Sequence, residues 1–127
     1  MELKKNILFL EDDADLKSIY INQLYQSGYN VFPVSEGARA LIIAQNEKID
    51  LVILDIMLST GINGFEVLER LKGNPKTKNV PVIVLTNLDS EEKTAREIGV
   101  SEYLIKTNYT PVEVLKIVDK YLKPQEG

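Results

Sequence analysis

Cysteine, histidine and tryptophan are all missing from this 127-residue chain. Without cysteine there is no disulfide framework, no thiolate nucleophile and no zinc–sulfur site. Without histidine there is no imidazole acid–base, no Ser–His–Asp triad and no imidazole metal ligand. The chemistry left is that of carboxylates, hydroxyls, amines and backbone groups. Basic charge is also in short supply. There are 15 Lys+Arg against 19 Asp+Glu, a net charge of −4, and the longest basic run is Lys4-Lys5. Nucleic-acid surfaces usually carry a basic excess or stripe, so direct contact with nucleic acid is not expected. No apolar stretch nears the roughly 20 residues that span a bilayer, so membrane contact is not expected either. The opening Met1-Glu2-Leu3-Lys4-Lys5-Asn6 lacks the apolar core of a signal peptide. A cytoplasmic protein is the expectation.

With 44% hydrophobic residues the chain can build a core, and its length suits one domain. We expect that domain over residues 1–124, with a short tail at 125–127. Five short apolar runs alternate with longer amphipathic stretches. The runs are Ile7-Leu8-Phe9-Leu10, Val31-Phe32-Pro33-Val34, Leu51-Val52-Ile53-Leu54, Val82-Ile83-Val84-Leu85 and Tyr103-Leu104-Ile105. Four are apolar throughout, as strands buried on both faces are. Pro33 cannot donate a ladder hydrogen bond, which puts its strand at a sheet edge.

The intervening stretches read as helices. Their apolar stripes are Leu16, Ile19, Tyr20 and Leu24; Ala38, Leu41, Ile42 and Ala44; Phe65, Leu68 and Leu71; and Val114, Leu115, Val118 and Leu122. Gly28 follows the first helix, Asn63 with Glu66 resembles a capping box, and Thr110-Pro111 with Glu113 combines an N-cap, an N1 proline and a capping glutamate. Ser90 to Ile98 offers only Ala95 and Ile98 as apolar anchors, so it reads as a helix held weakly. This order predicts an α/β fold of flavodoxin-like type. It is a (βα)5 doubly wound parallel sheet in a single domain, with strand order 2-1-3-4-5. In such sheets the functional crevice lies at the carboxyl ends of the strands.

The strand ends carry chemistry. The first strand ends in Glu11-Asp12-Asp13, the third in Asp55, the fourth in Thr86 and the fifth in Lys106. Each residue alone has a plain explanation, as a helix cap, a turn residue or a solvated lysine. Together they do not. Bringing Glu11, Asp12 and Asp55 within about 4–5 Å costs roughly 3–4 kcal/mol per like-charged pair at an effective dielectric near 20. One lysine cannot neutralise three acids, so the cluster calls for a bound cation or for a carboxyl that keeps its proton. All-oxygen donors with room for water and phosphate oxygens suit Mg2+. A carboxylate beside such an ion, a hydroxyl and an ammonium is equipped to attack a phosphoryl group.

These residues resemble the receiver domain of two-component response regulators. The similarity lies in four segments: Ile-Leu-Phe-Leu-Glu-Asp-Asp (7–13), Asp-Leu-Val-Ile-Leu-Asp-Ile-Met-Leu (50–58), Val-Pro-Val-Ile-Val-Leu-Thr (80–86) and Tyr-Leu-Ile-Lys (103–106). The resemblance implies that Asp55 is the phospho-acceptor. It implies direct Mg2+ ligation by Asp12 and Asp55, ligation through water by Glu11, and a further bond from the backbone carbonyl of Met57. Lys106 and Thr86 would each bind a phosphoryl oxygen, and Thr86 with Tyr103 would form the switch pair. The implied donor is a histidine kinase or histidine phosphotransfer protein, and the implied recipient of the signal is a downstream protein target.

Three departures from the family pattern are visible. Ser59 stands where proline is usual, and the Thr60-Gly61-Ile62-Asn63-Gly64 segment is one residue longer. Asn87 replaces the small residue that commonly follows the threonine. Thr107 replaces the proline that commonly follows the lysine. They keep open a receiver-shaped adaptor that binds partners without phosphorylation. A Mg2+-dependent phosphohydrolase with an aspartate nucleophile fits less well, because Met57 occupies the place of its usual second acid. Neither Met57 nor Leu88 can hydrogen-bond strongly to an attacking water, so slow hydrolysis of a phosphorylated Asp55 is expected.

Overall fold

The structure, a computed structural model, describes residues 3–123. The expected tail at 125–127, and the boundary at residue 124, lie outside the described residues. Five strands and five α-helices alternate: β1 (Asn6–Leu10), α1 (Ala14–Gln26), β2 (Asn30–Val34), α2 (Gly37–Asn46), β3 (Leu51–Leu54), α3 (Gly64–Gly73), β4 (Val82–Thr86), α4 (Glu92–Ile98), β5 (Glu102–Ile105) and α5 (Pro111–Leu122). A single turn of 3-10 helix, Lys106–Asn108, follows β5. All pairings are parallel, in the order β2-β1-β3-β4-β5. The predicted sheet is the one observed.

Alternate strand residues feed two cores. Leu8, Leu10, Val52, Leu54, Val82 and Val84 face the layer of α2, α3 and α4. Ile7, Phe9, Leu51, Ile53, Ile83 and Leu85 face α1 and α5. Burial on both faces is why the central strands read as continuous apolar runs rather than alternating ones. Edge strand β2 is half-buried for most of its length, and Pro33 is exposed there.

Helix boundaries follow the capping chemistry. Asp13 caps α1 by accepting from the Leu16 amide, and Gly28 takes φ 93° just beyond the helix. Thr110 and Glu113 form the full reciprocal box at α5, with Pro111 inside it. Asn63 accepts from the Glu66 amide, but Glu66 pairs with Arg70 instead of returning to the cap. That cap is one-sided. Two predicted faces need correction. Ile19 is exposed on α1. On α2, Ala38 and Ile42 point outward, while Gly37, Ala40 and Ala44 are buried. Helix α4 begins at Glu92, two residues later than Ser90, and Ala95 is its one fully buried residue.

One glycine positions the site. Gly64, the first residue of α3, donates its amide to the Ile56 carbonyl at 3.1 Å. A Cβ added there would lie 2.3 Å from the Asp55 carbonyl oxygen and 2.5 Å from Ile56 Cα. Both are backbone atoms that cannot step aside. Gly73, at the other end of α3, has nothing within 4 Å of its Cβ position. Gly64→Ala is therefore expected to destabilise the fold by about 1–3 kcal/mol through overpacking. Gly73→Ala is expected to be neutral, or stabilising by up to about 1 kcal/mol. Urea midpoints for the two variants check this, and similar midpoints would contradict it.

Candidate functional site

The β-ladder does not stop at the assigned strand ends. The Glu11 amide donates to the Val34 carbonyl at 3.0 Å, and the Asp55 amide to the Leu10 carbonyl at 3.1 Å. With Leu10 paired to Leu54, this fixes Glu11, Asp12 and Asp55 on one edge of the sheet. One carboxylate oxygen from each of the three lies within 4.8 Å of the others. Glu11 and Asp55 are 1% and 4% exposed, and Asp12 is half-buried.

Lys106 crosses to them from the end of β5. Its Nζ donates to Asp55 Oδ2 at 2.6 Å and to Glu11 Oε1 at 2.8 Å. Burial works against its charge. The hydrogen bonds to Asp55 and Glu11 outweigh that and hold the ammonium above the ordinary lysine range. The remaining oxygens are engaged locally. Glu11 Oε2 accepts from the Asp13 amide at 3.0 Å, and Asp55 Oδ1 accepts from the Met57 amide at 2.9 Å. The Met57 side chain itself is 55% exposed beside the site.

Asp12 is held differently. Its Oδ2 accepts two hydrogen bonds from Ser59, from the amide at 2.9 Å and from the hydroxyl at 2.7 Å. The Ser59 hydroxyl, and then its amide, keep the Asp12 carboxyl below the usual carboxylate range. Sequence reasoning singled out Ser59 only as a departure from a family pattern and missed this role. The one available signal was that serine offers a backbone N–H and a hydroxyl where proline offers neither.

Thr86 closes β4 and is fully buried. Its hydroxyl oxygen accepts from the Leu88 amide at 3.3 Å. The Leu88 carbonyl in turn accepts from the Tyr103 hydroxyl. Tyr103 is buried, and burial followed by the charges of Glu91 and Glu92 pushes its phenol up. Thr86 and Tyr103, paired in the sequence reading, are thus joined through the two ends of one residue. Leu88 was noted there only for its side chain; its backbone makes the link. Glu11, Asp12, Asp55 and Lys106 thus meet in one cluster, Thr86 closes the neighbouring strand and contacts Leu88, and Asp13 serves as the cap of α1. Chemically, the arrangement offers a nucleophilic carboxylate, a fixed ammonium, a buried hydroxyl and an oxygen donor set for a hard cation.

Known proteins resemble the chain in both sequence and fold. The response regulator receiver domain family matches residues 7–119. The probable transcriptional regulator ycf27 of Porphyridium aerugineum is 34% identical over 126 residues, covering 92% of this chain and 50% of that protein. The chain spans about half the length of the curated relatives it matches. Among solved structures, the BeF3-activated N-terminal receiver domain of Klebsiella pneumoniae RstA superposes with a TM-score of 0.83 at 32% identity, covering 94% of this chain and 100% of that one. The Mn(2+)-bound form of response regulator Rcp1 has a TM-score of 0.82 at 26% identity, covering 96% of this chain and 97% of that one.

The lysine is the cluster's stabilising charge, and this can be measured. Lys106→Met leaves two buried carboxylates without their cation. The expected loss is about 3–5 kcal/mol at neutral pH without divalent ions. Denaturant melts in EDTA at neutral pH check this, and a loss below about 1 kcal/mol would count against it.

Proposed function

The chain belongs to the response regulator receiver domain family, and on that footing we propose that it accepts a phosphoryl group on Asp55 and passes the change to a partner-binding face. Receiver domains are signalling domains of two-component systems rather than enzymes with a turning-over substrate. What carries the proposal for Asp55 is its carboxylate, bound to Lys106 at 2.6 Å in a cluster with more acids than cations.

The donor is a phosphohistidine on a histidine kinase or phosphotransfer protein. The chain contains no histidine, so the donor imidazole lies outside these 127 residues. An Asp55 carboxylate oxygen forms a P–O bond as the P–N bond breaks. The bonding pair leaves on the imidazole nitrogen, which takes a proton, and an acyl phosphate remains on Asp55. Lys106 donates to one phosphoryl oxygen. Thr86 donates its hydroxyl proton to another, since its present bond with Leu88 uses the oxygen as acceptor. The donor set of Glu11, Asp12 and Asp55 fits Mg2+; Asp12 and Asp55 would hold it directly and Glu11 through water, with the Met57 carbonyl as a further donor. When bound, the ion supplies positive charge against the phosphoryl oxygens.

Moving Lys106 and Thr86 onto phosphate oxygens withdraws them from their present partners. The Thr86–Leu88–Tyr103 chain then rearranges, and with it the segment leading into α4. Helix α4 is suited to such movement because Ala95 alone anchors it fully. The recipient is a downstream protein. We place the domain in the cytoplasm; among the described residues no helix is long and apolar enough to cross a membrane. Contact with nucleic acid, as in relatives named transcriptional regulators, is assigned to segments outside the matched half.

Incubation with acetyl phosphate and Mg2+ should place one phosphoryl group on the wild type and none on Asp55→Asn, read by intact mass. No label on the wild type, or equal label on the variant, would refute the proposal. Decay of the labelled protein should be slow, since neither the Met57 nor the Leu88 side chain can orient water. A lifetime of seconds would contradict that.

A further inference from the structure

Asp12 is the one acid of the cluster that Lys106 does not bond. It faces two other carboxylates, and the charge of Lys106 is the weakest of the influences that favour it there: free of other restraint, it would swing toward water. What restrains it comes from a residue 47 positions away. Ser59 directs both its amide and its hydroxyl at a single atom, Asp12 Oδ2, at 2.9 and 2.7 Å. Hydrogen bonds to an ionised carboxylate are about twice as strong as neutral ones. Two of them from one residue fix both the position and the tilt of the acid. A proline at this position could make neither.

We propose that Ser59 is a positioning residue for the divalent cation, holding Asp12 by Oδ2 against the repulsion of Glu11 and Asp55 and leaving Oδ1 to bind the ion. The inference rests on the reading of these acids as a Mg2+ site. It adds a residue that contacts neither the ion nor the phosphoryl group but sets the geometry of one that does. Outer-sphere hydrogen bonds of this kind typically change metal affinity by roughly 10–100-fold. Because Ser59 joins the loop after β3 to the loop after β1, it also fixes the separation of the two segments that supply the acids.

The test is Mg2+ binding by calorimetry on the whole chain, for the wild type, Ser59→Ala and Ser59→Thr. Urea midpoints of all three are measured in EDTA. Ser59→Ala keeps the amide bond and loses the hydroxyl bond, so affinity should fall by about tenfold, the low end of that range. Ser59→Thr restores a hydroxyl and should restore affinity, with all midpoints unchanged. Equal affinity in the wild type and Ser59→Ala would overturn the positioning role and leave the Mg2+ site standing. A loss that tracks a lowered midpoint, or that threonine does not rescue, would also overturn it, by showing a merely structural effect. A wild type with no saturable Mg2+ binding would overturn the Mg2+ reading and this inference with it.

Discussion

One ammonium set against three carboxylates is the constraint on which the site turns. The sheet order places β4 between β3 and β5, so Lys106 reaches over the end of β4 to find Asp55 and Glu11. Its two contacts, at 2.6 and 2.8 Å, draw together the ends of β1, β3 and β5. At an effective dielectric near 20, each such attraction is worth roughly 4 kcal/mol or more, and each repulsion between neighbouring acids nearly as much. The lysine offsets the repulsion within the pair it touches. It leaves Asp12 to be held by neutral donors and leaves the site as a whole negative. A site in that condition favours any added positive charge, and the proposed phosphorylation of Asp55 would redraw its contacts.

Such a change would have a physical route. Thr86 and Tyr103 touch different ends of Leu88, its N–H and its C=O. The segment between β4 and α4 is therefore pinned at one residue by a hydroxyl from the site and a phenol from β5. If Thr86 turns its hydroxyl toward a phosphoryl oxygen, the Leu88 amide loses its acceptor, and the peptide that receives the Tyr103 hydroxyl is free to shift. Helix α4 follows directly in the chain and is short, with a single small residue buried to the core.

The sequence already shows why these parts sit where they do, and also where that legibility ends. The strands were readable because burial on both faces makes them continuous apolar runs. The polar residues that follow four of the runs mark one edge of the sheet, and among them are Glu11, Asp12, Asp55, Thr86 and Lys106. The α2 face was misread because hydrophobicity and burial part company there. Gly37, Ala40 and Ala44 are small enough to let the helix approach the sheet, while the larger Ile42 lies outside. Ser59 and Leu88 were illegible as site residues for another reason. Leu88 contributes through its backbone N–H and C=O, which every residue carries, and Ser59 through an amide and a hydroxyl whose partner, 47 positions away, only the fold brings near.

The segment after Asp55, one residue longer than the family pattern, shows how such a fold absorbs change. The close approach of Gly64 to the Asp55 carbonyl, together with its amide bond to Ile56, fixes the start of α3 against the end of β3. Asn63 then caps the helix in the ordinary way. The added length must therefore lie before Gly64, in the loop that begins at Ser59 and turns at Gly61, where φ is +73°. Lengthening there leaves Asp55, its Met57 amide bond and its lysine in place. It alters only what the loop presents to Asp12. In this chain it presents two donors, so the variation falls on the acid that the lysine leaves unpaired, the one whose position an outside residue can still set.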